Sequence, residues 1–295
     1  MKKWLVAASA FLLLIGGLFP SITQADSVID EKLGVPIVVL GANLTDAEKE
    51  TVKKSLKVDQ EAEVEEITVD GTDLVNYIKD GNSQARMYSS AKITRQDEGE
   101  GLVIKIVTPE NITQVTNEMY ATAMLTAGIE DAIVEVAAPK PVTGHSALVG
   151  IYKAYEVTGE TLDTERTDVA NDELNLATRF AKDSGIDQDK VAELLTEIKK
   201  AIADNKPVTK EEVEQIVNEQ LKKLNIELSE ADRQLLIELM DRIRSLDIDF
   251  SKLSSQLSDM ASTIKEKLGE IDPGFWDKVK TFFEGLMDSV KSWFN

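Results

Sequence analysis

The sequence pattern changes near Tyr155, and this change most constrains the fold. Before it, short β-like runs alternate with amphipathic stretches; beyond it, only helical stretches occur. Alternating strands and helices are typical of a sheet covered by helices, whereas apolar residues at helical spacing alone predict packed helices. We therefore expect an α+β, two-domain protein: an α/β domain with a mixed sheet covered by helices over residues 26–157, then an all-α helical domain over 158–295.

Five apolar runs predict strands, and capping or turn residues mark helix starts between them; Thr45 and Glu48 form a capping box at the first of these starts. The predicted strands are 35–40, 64–69, 86–94, 102–107 and 132–136, and the predicted helices are 45–57, 73–79, 112–127 and 146–155. Only the polar segment 97–101 separates the third strand from the fourth, so these two strands are predicted to form a hairpin.

Capping patterns divide the second region into six predicted helices. They span 163–183, 187–203, 209–224, 229–246, 251–268 and 273–294. Thr209 and Glu212 form a capping box, and Ser229 begins a similar pattern. Apolar residues recur at helical spacing, as at Val191, Leu194 and Ile198, so each helix has one face to bury.

The first residues predict export. Lys2 and Lys3 precede an apolar run over 4–19, and small residues lead up to Ala25. This is the pattern of a cleavable secretory signal peptide over 1–25, and the apolar run is shorter than the roughly 20 residues that span a bilayer as a helix. We expect cleavage after Ala25 and a secreted or extracytoplasmic protein that is associated with the cell envelope or diffuses away.

Composition excludes several classes of function. The chain has 33 basic and 53 acidic residues, a net charge of −20, which becomes −22 when the two lysines of the signal peptide are removed. Such a charge repels nucleic acid. Cysteine is absent and His145 is the single histidine, which excludes a thiol nucleophile and a Cys/His zinc site. We predict no cofactor and no metal: the carboxylates of 183–189 lack calcium-loop spacing and suit a helix junction, in which Gly185 ends one helix and Asp187 caps the next.

A candidate anion site follows from two predicted helix starts, near Asn111 and Ser146. Each helix follows a strand, so both N-termini are expected at one carboxyl edge of the sheet, where free N–H groups and partial positive charge favour a small anion. The candidate ligand-binding residues are Thr108, Asn111, Thr113, Thr143, His145 and Ser146. The alternative is ordinary capping, by Asn111 for one helix and by Ser146 or His145 for the other.

Two patterns invite a catalytic interpretation, and we assign no catalytic residue to either. Ser89 and Lys92 fit the S-x-x-K pattern of penicillin-recognising enzymes, which requires a helix; in a strand, residues three apart point to opposite faces. His145 and Ser146 are neighbours in a predicted turn, where a nucleophile and its base rarely align.

The last 21 residues carry an unusual concentration of aromatic side chains. A helix there places an apolar face beside charged residues, and this face either packs on the other helices or docks on a partner protein or a membrane interface. The docking candidates are Phe275, Trp276, Phe282, Phe283, Trp293 and Phe294.

Short motifs distributed along the first region resemble one family of exported proteins. They include Gly101-Leu102-Val103, Asn111-Ile112-Thr113, Glu118-Met119-Tyr120, Thr126-Ala127-Gly128-Ile129, Pro141-Val142-Thr143-Gly144 and Tyr152-Lys153-Ala154-Tyr155-Glu156. In these motifs the chain resembles the YpuA-like proteins of Firmicutes, a domain of unknown function. The resemblance implies a Gram-positive extracytoplasmic setting and carries no activity or cofactor. It also implies a small residue at position 145, where this chain has histidine.

Two classes of function remain open. The first is a non-catalytic cell-envelope binding or interaction protein, whose partner is an envelope protein, a wall polymer or the membrane surface. The second is a secreted hydrolase, carboxylate- or serine-based, that acts on cell-wall material. We favour binding because no convincing nucleophile or paired-carboxylate motif occurs. Two carboxylates from distant positions also perform hydrolysis, so a polar cleft holding such a pair would favour the enzyme.

Overall fold

The computed structural model describes residues 34–249 together with 252, 255 and 256. The predicted signal peptide, the predicted helix over 273–294 and its six aromatic docking candidates lie outside the described residues. The predicted helix over 251–268 also lies outside them, apart from three of its residues.

The described residues form five strands and eight α-helices. In chain order these are β1 (Ile37–Gly41), α1 (Asp46–Ser55), β2 (Glu65–Val69), α2 (Gly71–Tyr77), β3 (Ser90–Arg95), β4 (Leu102–Ile106), α3 (Asn117–Ala127), β5 (Ala132–Ala137), α4 (His145–Val157), α5 (Thr164–Asp183), α6 (Gln188–Asn205), α7 (Lys210–Lys223) and α8 (Glu230–Ser245). The α+β class with a mixed sheet followed by an all-helical region is confirmed.

The strands form one sheet in the order β2-β1-β3-β5-β4. Strand β1 is parallel to β2 and β4 is parallel to β5, whereas β3 is antiparallel to both of its neighbours. Four strands therefore point the same way and β3 points the opposite way. As a result, the segment that leads into β3 lies at the same edge as the carboxyl ends of the other four strands.

The predicted hairpin of the third and fourth strands is wrong, because β5 lies between them. Asp131, at the start of β5, accepts hydrogen bonds at Oδ1 from the backbone N–H groups of Gly99 (3.1 Å) and Gly101 (2.7 Å). This carboxylate holds the polar loop 97–101 at the beginning of β5. The loop thus spans the width of an intervening strand instead of forming a tight turn.

Helices cover both faces of the sheet. On one face α1 packs through Val52 and Leu56 against Val38 and Leu40 of β1. On the other face α3 and α4 pack against the sheet, and α5 to α8 form a further layer over them. Apolar side chains from the sheet and from all four of these later helices belong to one continuous buried cluster.

Polar contacts also join the two regions. Arg166 of α5 donates from Nε to the carbonyl of Thr126 (2.9 Å) and from Nη2 to that of Leu125 (3.2 Å), at the end of α3. These bonds fix the start of the helical region on the α/β region. The division into separate domains at 157 and 158 remains a prediction that needs a stability measurement.

Local helix signals give mixed outcomes. The predicted caps Thr45, Thr209 and Ser229 are confirmed, since each side chain accepts a hydrogen bond from the N–H three residues on. The predicted helix start at 112 with Asn111 as its cap is wrong: α3 begins at Asn117 and Thr116 caps it. Residues 108–116 instead form a loop, in which Ile112 makes a bridge to Val142.

Candidate functional site

An open cleft of about 360 Å³ lies at the carboxyl edge of the sheet. Helix α4, the segment leading into β3, the β5–α4 loop, α2 and α5 all contribute to it. Its lining residues are Leu74, Ala85, Arg86, Met87, Tyr88, Ser89, Val142, Thr143, His145, Ser146 and Asn171. Three of the six predicted ligand-binding residues, Thr143, His145 and Ser146, therefore lie together in this cleft.

The other three predicted residues hold two loops together. Thr108 Oγ1 accepts from the N–H of Ala138 (2.9 Å), and Asn111 Nδ2 donates to the carbonyl of the same residue (2.8 Å). Thr113 Oγ1 donates to the carbonyl of Val142 (2.9 Å). These bonds join the β4–α3 loop to the β5–α4 loop, so the three side chains position the start of α4 and do not line the cleft.

Close packing at Gly144 determines how α4 begins. Gly144 has φ 106° and its carbonyl accepts a 2.6 Å hydrogen bond from the Tyr120 hydroxyl. A Cβ at this position would lie 2.8 Å from that hydroxyl and 2.9 Å from Cγ2 of Ile112. Only glycine fits this approach and this backbone conformation. The cap position of α4 therefore has no side chain, and the predicted capping by Ser146 or His145 is wrong.

The missing cap leaves hydrogen-bond donors available at the start of α4. The first N–H groups of a helix have no partner within the helix. The N–H of Ala147 turns back to the carbonyl of Gly144 (3.0 Å), but within the described residues no acceptor contacts the N–H of His145 or Ser146. Every other α-helix described here has a side chain that accepts from its first turn. The free N–H groups and the helix dipole give this end of the cleft partial positive charge.

Ser89 adds a buried hydroxyl without a partner. Ser89 is 1% exposed and lines the cleft, and its Oγ has no hydrogen-bond partner among the described residues. Its backbone N–H donates to Ser146 Oγ (3.1 Å), which fixes Ser89 against the first turn of α4. An unsatisfied buried hydroxyl costs about 1–3 kcal/mol, so its position beside the free helix start indicates a place for a ligand acceptor.

His145 is a neutral residue fixed against α5. Its Nε2 lies 3.1 Å from Thr178 Oγ1, and that hydroxyl has carbonyl acceptors at Leu174 and Asn175, each 3.0 Å away. The Thr178 hydroxyl therefore fixes the imidazole ring of His145 against α5. Burial lowers the pKa of His145, which keeps the ring neutral at the positive end of α4.

Arg86 supplies positive charge to the cleft. It is exposed, and no ion-pair or hydrogen-bond partner contacts its guanidinium within the described part of the chain. The neighbouring basic residue, Lys140, is already engaged by Glu48 (2.7 Å) and by the ring of Tyr88 (4.2 Å to its centroid). Arg86 is thus available to a ligand, whereas Lys140 is bound to the protein.

No pattern in the sequence predicts that Arg86, Ser89 and Asn171 belong to one site. Arg86 and Ser89 lie in the predicted strand 86–94, and Asn171 lies on a helix more than 80 positions later. Their proximity depends on β3 pairing with β1 and on α5 packing over the sheet, which are long-range contacts. The glycine at the cap position of α4 is a local sequence signal that indicates the site, but it does not identify the other residues of the site.

The catalytic patterns do not assemble in the structure. Lys92 Nζ bonds to Glu61 (2.6 Å) and Glu135 (2.7 Å), and it also donates to the carbonyl of Leu56, which belongs to the cluster on the α1 face. Ser89 lies in the cleft beside α4, so the two are not a serine–lysine pair. No aspartate or glutamate is among the described residues that line the cleft.

A second cavity of about 610 Å³ lies beyond Thr178, between the loop preceding α3 and the α5–α6 junction. Asp187 in this junction caps α6 by accepting from the N–H groups of Asp189 (3.0 Å) and Lys190 (3.3 Å), as predicted from its spacing. The described residues contain no group of three or more metal-binding side chains. Among those same residues, no helix is both long and apolar enough to cross a membrane.

Comparison with known proteins places the chain in one family. A family model described as a protein of unknown function (DUF1002) matches residues 40–260. The uncharacterised protein YpuA of Bacillus subtilis (strain 168) is 33% identical over 243 residues, which cover 80% of this chain and 79% of YpuA. No solved structure matches the chain. The resemblance to YpuA-like proteins is confirmed, and the chain belongs to the DUF1002 family.

Proposed function

We propose that this protein is an exported, non-catalytic binding protein of the cell envelope, and that it holds its ligand in the cleft at the start of α4. The single observation that carries the proposal is a cleft that brings together a buried hydroxyl without a partner, that of Ser89, the open first N–H groups of α4 and the exposed Arg86 guanidinium. Buried polar groups in proteins are normally hydrogen-bonded. Groups left open together in a cleft are best explained by a ligand that completes them.

The setting of the proposal comes from the chain's first residues. The pattern over 1–25 predicts a signal peptide and therefore a cell-envelope location. Candidate ligands in that location are an envelope protein, a wall polymer or a group on the membrane surface. A cleft open to solvent suits a group that protrudes from a larger molecule as well as it suits a free small molecule.

Binding is favoured over hydrolysis by the chemistry of the lining residues. A glycosidase needs two carboxylates about 5–10 Å apart, and no described residue lining this cleft carries one. A serine hydrolase needs a base bonded to its nucleophile. The Nε2 of His145 instead contacts Thr178, and the Ser146 hydroxyl accepts from the backbone of Ser89.

A cleft-blocking variant tests the proposal. Thr143 is exposed and lines the cleft, so Thr143→Trp fills the cleft without disturbing the core. Thr161→Trp places the same large side chain at an exposed threonine away from the cleft and is the control. The measurement is the amount of each purified protein that sediments with washed cell envelopes, together with its melting temperature. We expect Thr143→Trp to lose association while both variants melt like the wild type.

Two results would contradict the proposal. If Thr143→Trp still associates with envelopes, the cleft is not the site; loss of association on truncation after Ile271 would then assign docking to the aromatic tail. If the wild-type protein releases soluble fragments from envelope material and Thr143→Trp does not, the cleft belongs to a hydrolase.

A further inference from the structure

We propose that the cleft recognises the phosphate group of an organic phosphate ester. This inference rests on the proposed function, because it names the ligand class of the same cleft. It arises from the placement of four kinds of donor around one open space: two backbone N–H groups of α4, the Ser89 hydroxyl, the Arg86 guanidinium and the exposed Thr143 hydroxyl.

The helix start is supported by an independent observation at Ser89. A free helix N-terminus alone is common, and water satisfies it. Ser89 lines the cleft and is 1% exposed, and its hydroxyl has no hydrogen-bond partner among the described residues. Its backbone bond to Ser146 holds it against the same helix turn. One acceptor group placed in the cleft would satisfy both features.

The donor set favours phosphate over a carboxylate. A phosphate group offers three or four oxygens in a tetrahedral arrangement, and helix N-termini and arginine are its usual partners in proteins. A carboxylate offers two oxygens in one plane and would leave part of this donor set open. The net charge of −20 repels anions in general. Local donors and one arginine therefore have to provide the attraction, which makes binding sensitive to the loss of any one of them.

The remaining lining indicates an organic substituent. The cleft, at about 360 Å³, falls within the range of small-molecule sites of roughly 300–1,000 Å³. Leu74, Met87, Tyr88 and Val142 provide an apolar wall beside the donors. A phosphate ion alone would not contact this wall, whereas an ester places its organic group there.

Calorimetric titration of the purified protein tests the proposal with four probes: inorganic phosphate, phenyl phosphate, the diester dimethyl phosphate, and benzoate. We expect phenyl phosphate to bind at least about tenfold more tightly than inorganic phosphate, since it buries an aromatic ring. Benzoate is expected to bind more weakly than phenyl phosphate. Dimethyl phosphate distinguishes a polymer backbone from a terminal ester: binding comparable to that of inorganic phosphate would indicate a diester ligand.

Matched variants locate the binding. Arg86→Gln should weaken the binding of phenyl phosphate by roughly 10- to 100-fold, because it removes a charge-assisted contact. Arg86→Lys should restore part of the lost affinity. Ser89→Ala should weaken it roughly 2- to 10-fold. Lys182→Gln is the control: it removes one exposed positive charge at the second cavity and should leave affinity unchanged. Equal weakening by Arg86→Gln and Lys182→Gln would mean nonspecific charge attraction and would overturn the proposal.

Failure of this inference is distinguishable from failure of the proposed function. If Thr143→Trp abolishes envelope association but none of the phosphate probes binds, the cleft is the binding site and the ligand is not a phosphate. If benzoate binds more tightly than phenyl phosphate, the ligand class is a carboxylate. If phenyl phosphate binds in the cleft but Thr143→Trp leaves envelope association intact, the phosphate inference holds and the proposed envelope function is wrong.

Discussion

Two polar groupings in this protein differ in how completely they are satisfied. In the helical region Lys199 is fully buried, and its Nζ donates to Glu173, to Thr126 Oγ1 (2.7 Å) and to the carbonyl of Thr122 (3.0 Å). Thr126 Oγ1 also donates to Glu173 Oε2 (2.7 Å). In the cleft, by contrast, the helix start, the Ser89 hydroxyl and Arg86 have open positions.

The difference distinguishes polar groups that stabilise the fold, such as Lys199 and Glu173, from polar groups that are open to a ligand. Burial lowers the pKa of Lys199 while its pairing with Glu173 opposes that shift, and the pair is held in place by α3, α5 and α6. Such a closed network contributes to a unique helix packing, because any other arrangement would leave a charge without a partner. The open donors of the cleft make no such contribution to helix packing, which is why we propose that they serve a ligand.

Removing the buried ammonium tests the structural side of this comparison and should have the largest effect. Lys199→Met leaves the Glu173 carboxylate buried without its cationic partner, and the expected loss is about 3–5 kcal/mol in the free energy of unfolding. Urea denaturation measures it. Lys190→Met, on the exposed side of the same helix, is the control and should stay within about 0.5 kcal/mol of the wild type. Equal, small losses in both variants would mean that the network is not structural.

Substitution of Gly144 should have the next largest effect, because it lies where the cleft is built. Gly144→Ala places a Cβ at φ 106°, which costs about 1–2 kcal/mol in strain, and also within 2.8 Å of the Tyr120 hydroxyl. Gly159→Ala is the matched control: its φ is 100°, but no atom lies within 4 Å of the new Cβ. We expect Gly144→Ala to be the less stable variant by thermal denaturation. Identical melting temperatures would contradict the close packing of Tyr120 on this turn.

Acidification should destabilise the protein through His145. Its folded-state pKa is lowered by burial, so below about pH 6.5 the unfolded chain binds a proton that the folded protein does not. Stability attributable to this group is present above that pH and falls as the pH decreases toward the folded-state pKa, by at most about 1.4 kcal/mol per pH unit. Urea unfolding at pH 8 and pH 5 should reveal a larger acid loss in the wild type than in His145→Gln. If the difference in the free energy of unfolding between the two proteins is the same at pH 8 and pH 5, the buried neutral ring is contradicted.

Ser89→Ala should have the smallest effect on stability, and, unlike the other variants, it should not lower it. The hydroxyl has no partner, so its removal is expected to leave the unliganded protein as stable as the wild type or more stable by up to about 1 kcal/mol. The control is Ser90→Ala, whose hydroxyl accepts from the N–H of Gly41 (3.1 Å), and this variant should lose stability. Destabilisation of Ser89→Ala to the level of Ser90→Ala would mean that Ser89 is structural.

Local signals in the sequence predicted the elements better than their arrangement. The capping patterns at Thr45, Thr209 and Asp187 depend on residues two or three positions apart, and they are confirmed. The hairpin failed because strand pairing is decided by long-range contacts, here the insertion of β5 held by Asp131. A short polar segment between two apolar runs is compatible with either arrangement.

The candidate site was partly predictable for the same reason. Thr143, His145 and Ser146 are contiguous, and the glycine before them is a visible sign of an unusual helix start. Thr108, Asn111 and Thr113 do not line the cleft, because α3 begins at Asn117 instead of near Asn111 and the chain at 108–116 forms a loop that bonds to the β5–α4 loop. Arg86 and Ser89 reach the cleft only through the pairing of β3 with its neighbours, which no local pattern determines.

Backbone amide chemical shifts report which donors a ligand occupies. In a titration of the isotope-labelled protein with phenyl phosphate, we expect the backbone amide signals of His145, Ser146 and Ser89 to shift together and saturate at one affinity. The same titration of Arg86→Gln should shift them little at equal ligand concentration. Saturating shifts that lie elsewhere, with these three amides unmoved, would contradict the claim that the open donors at the start of α4 are the binding site.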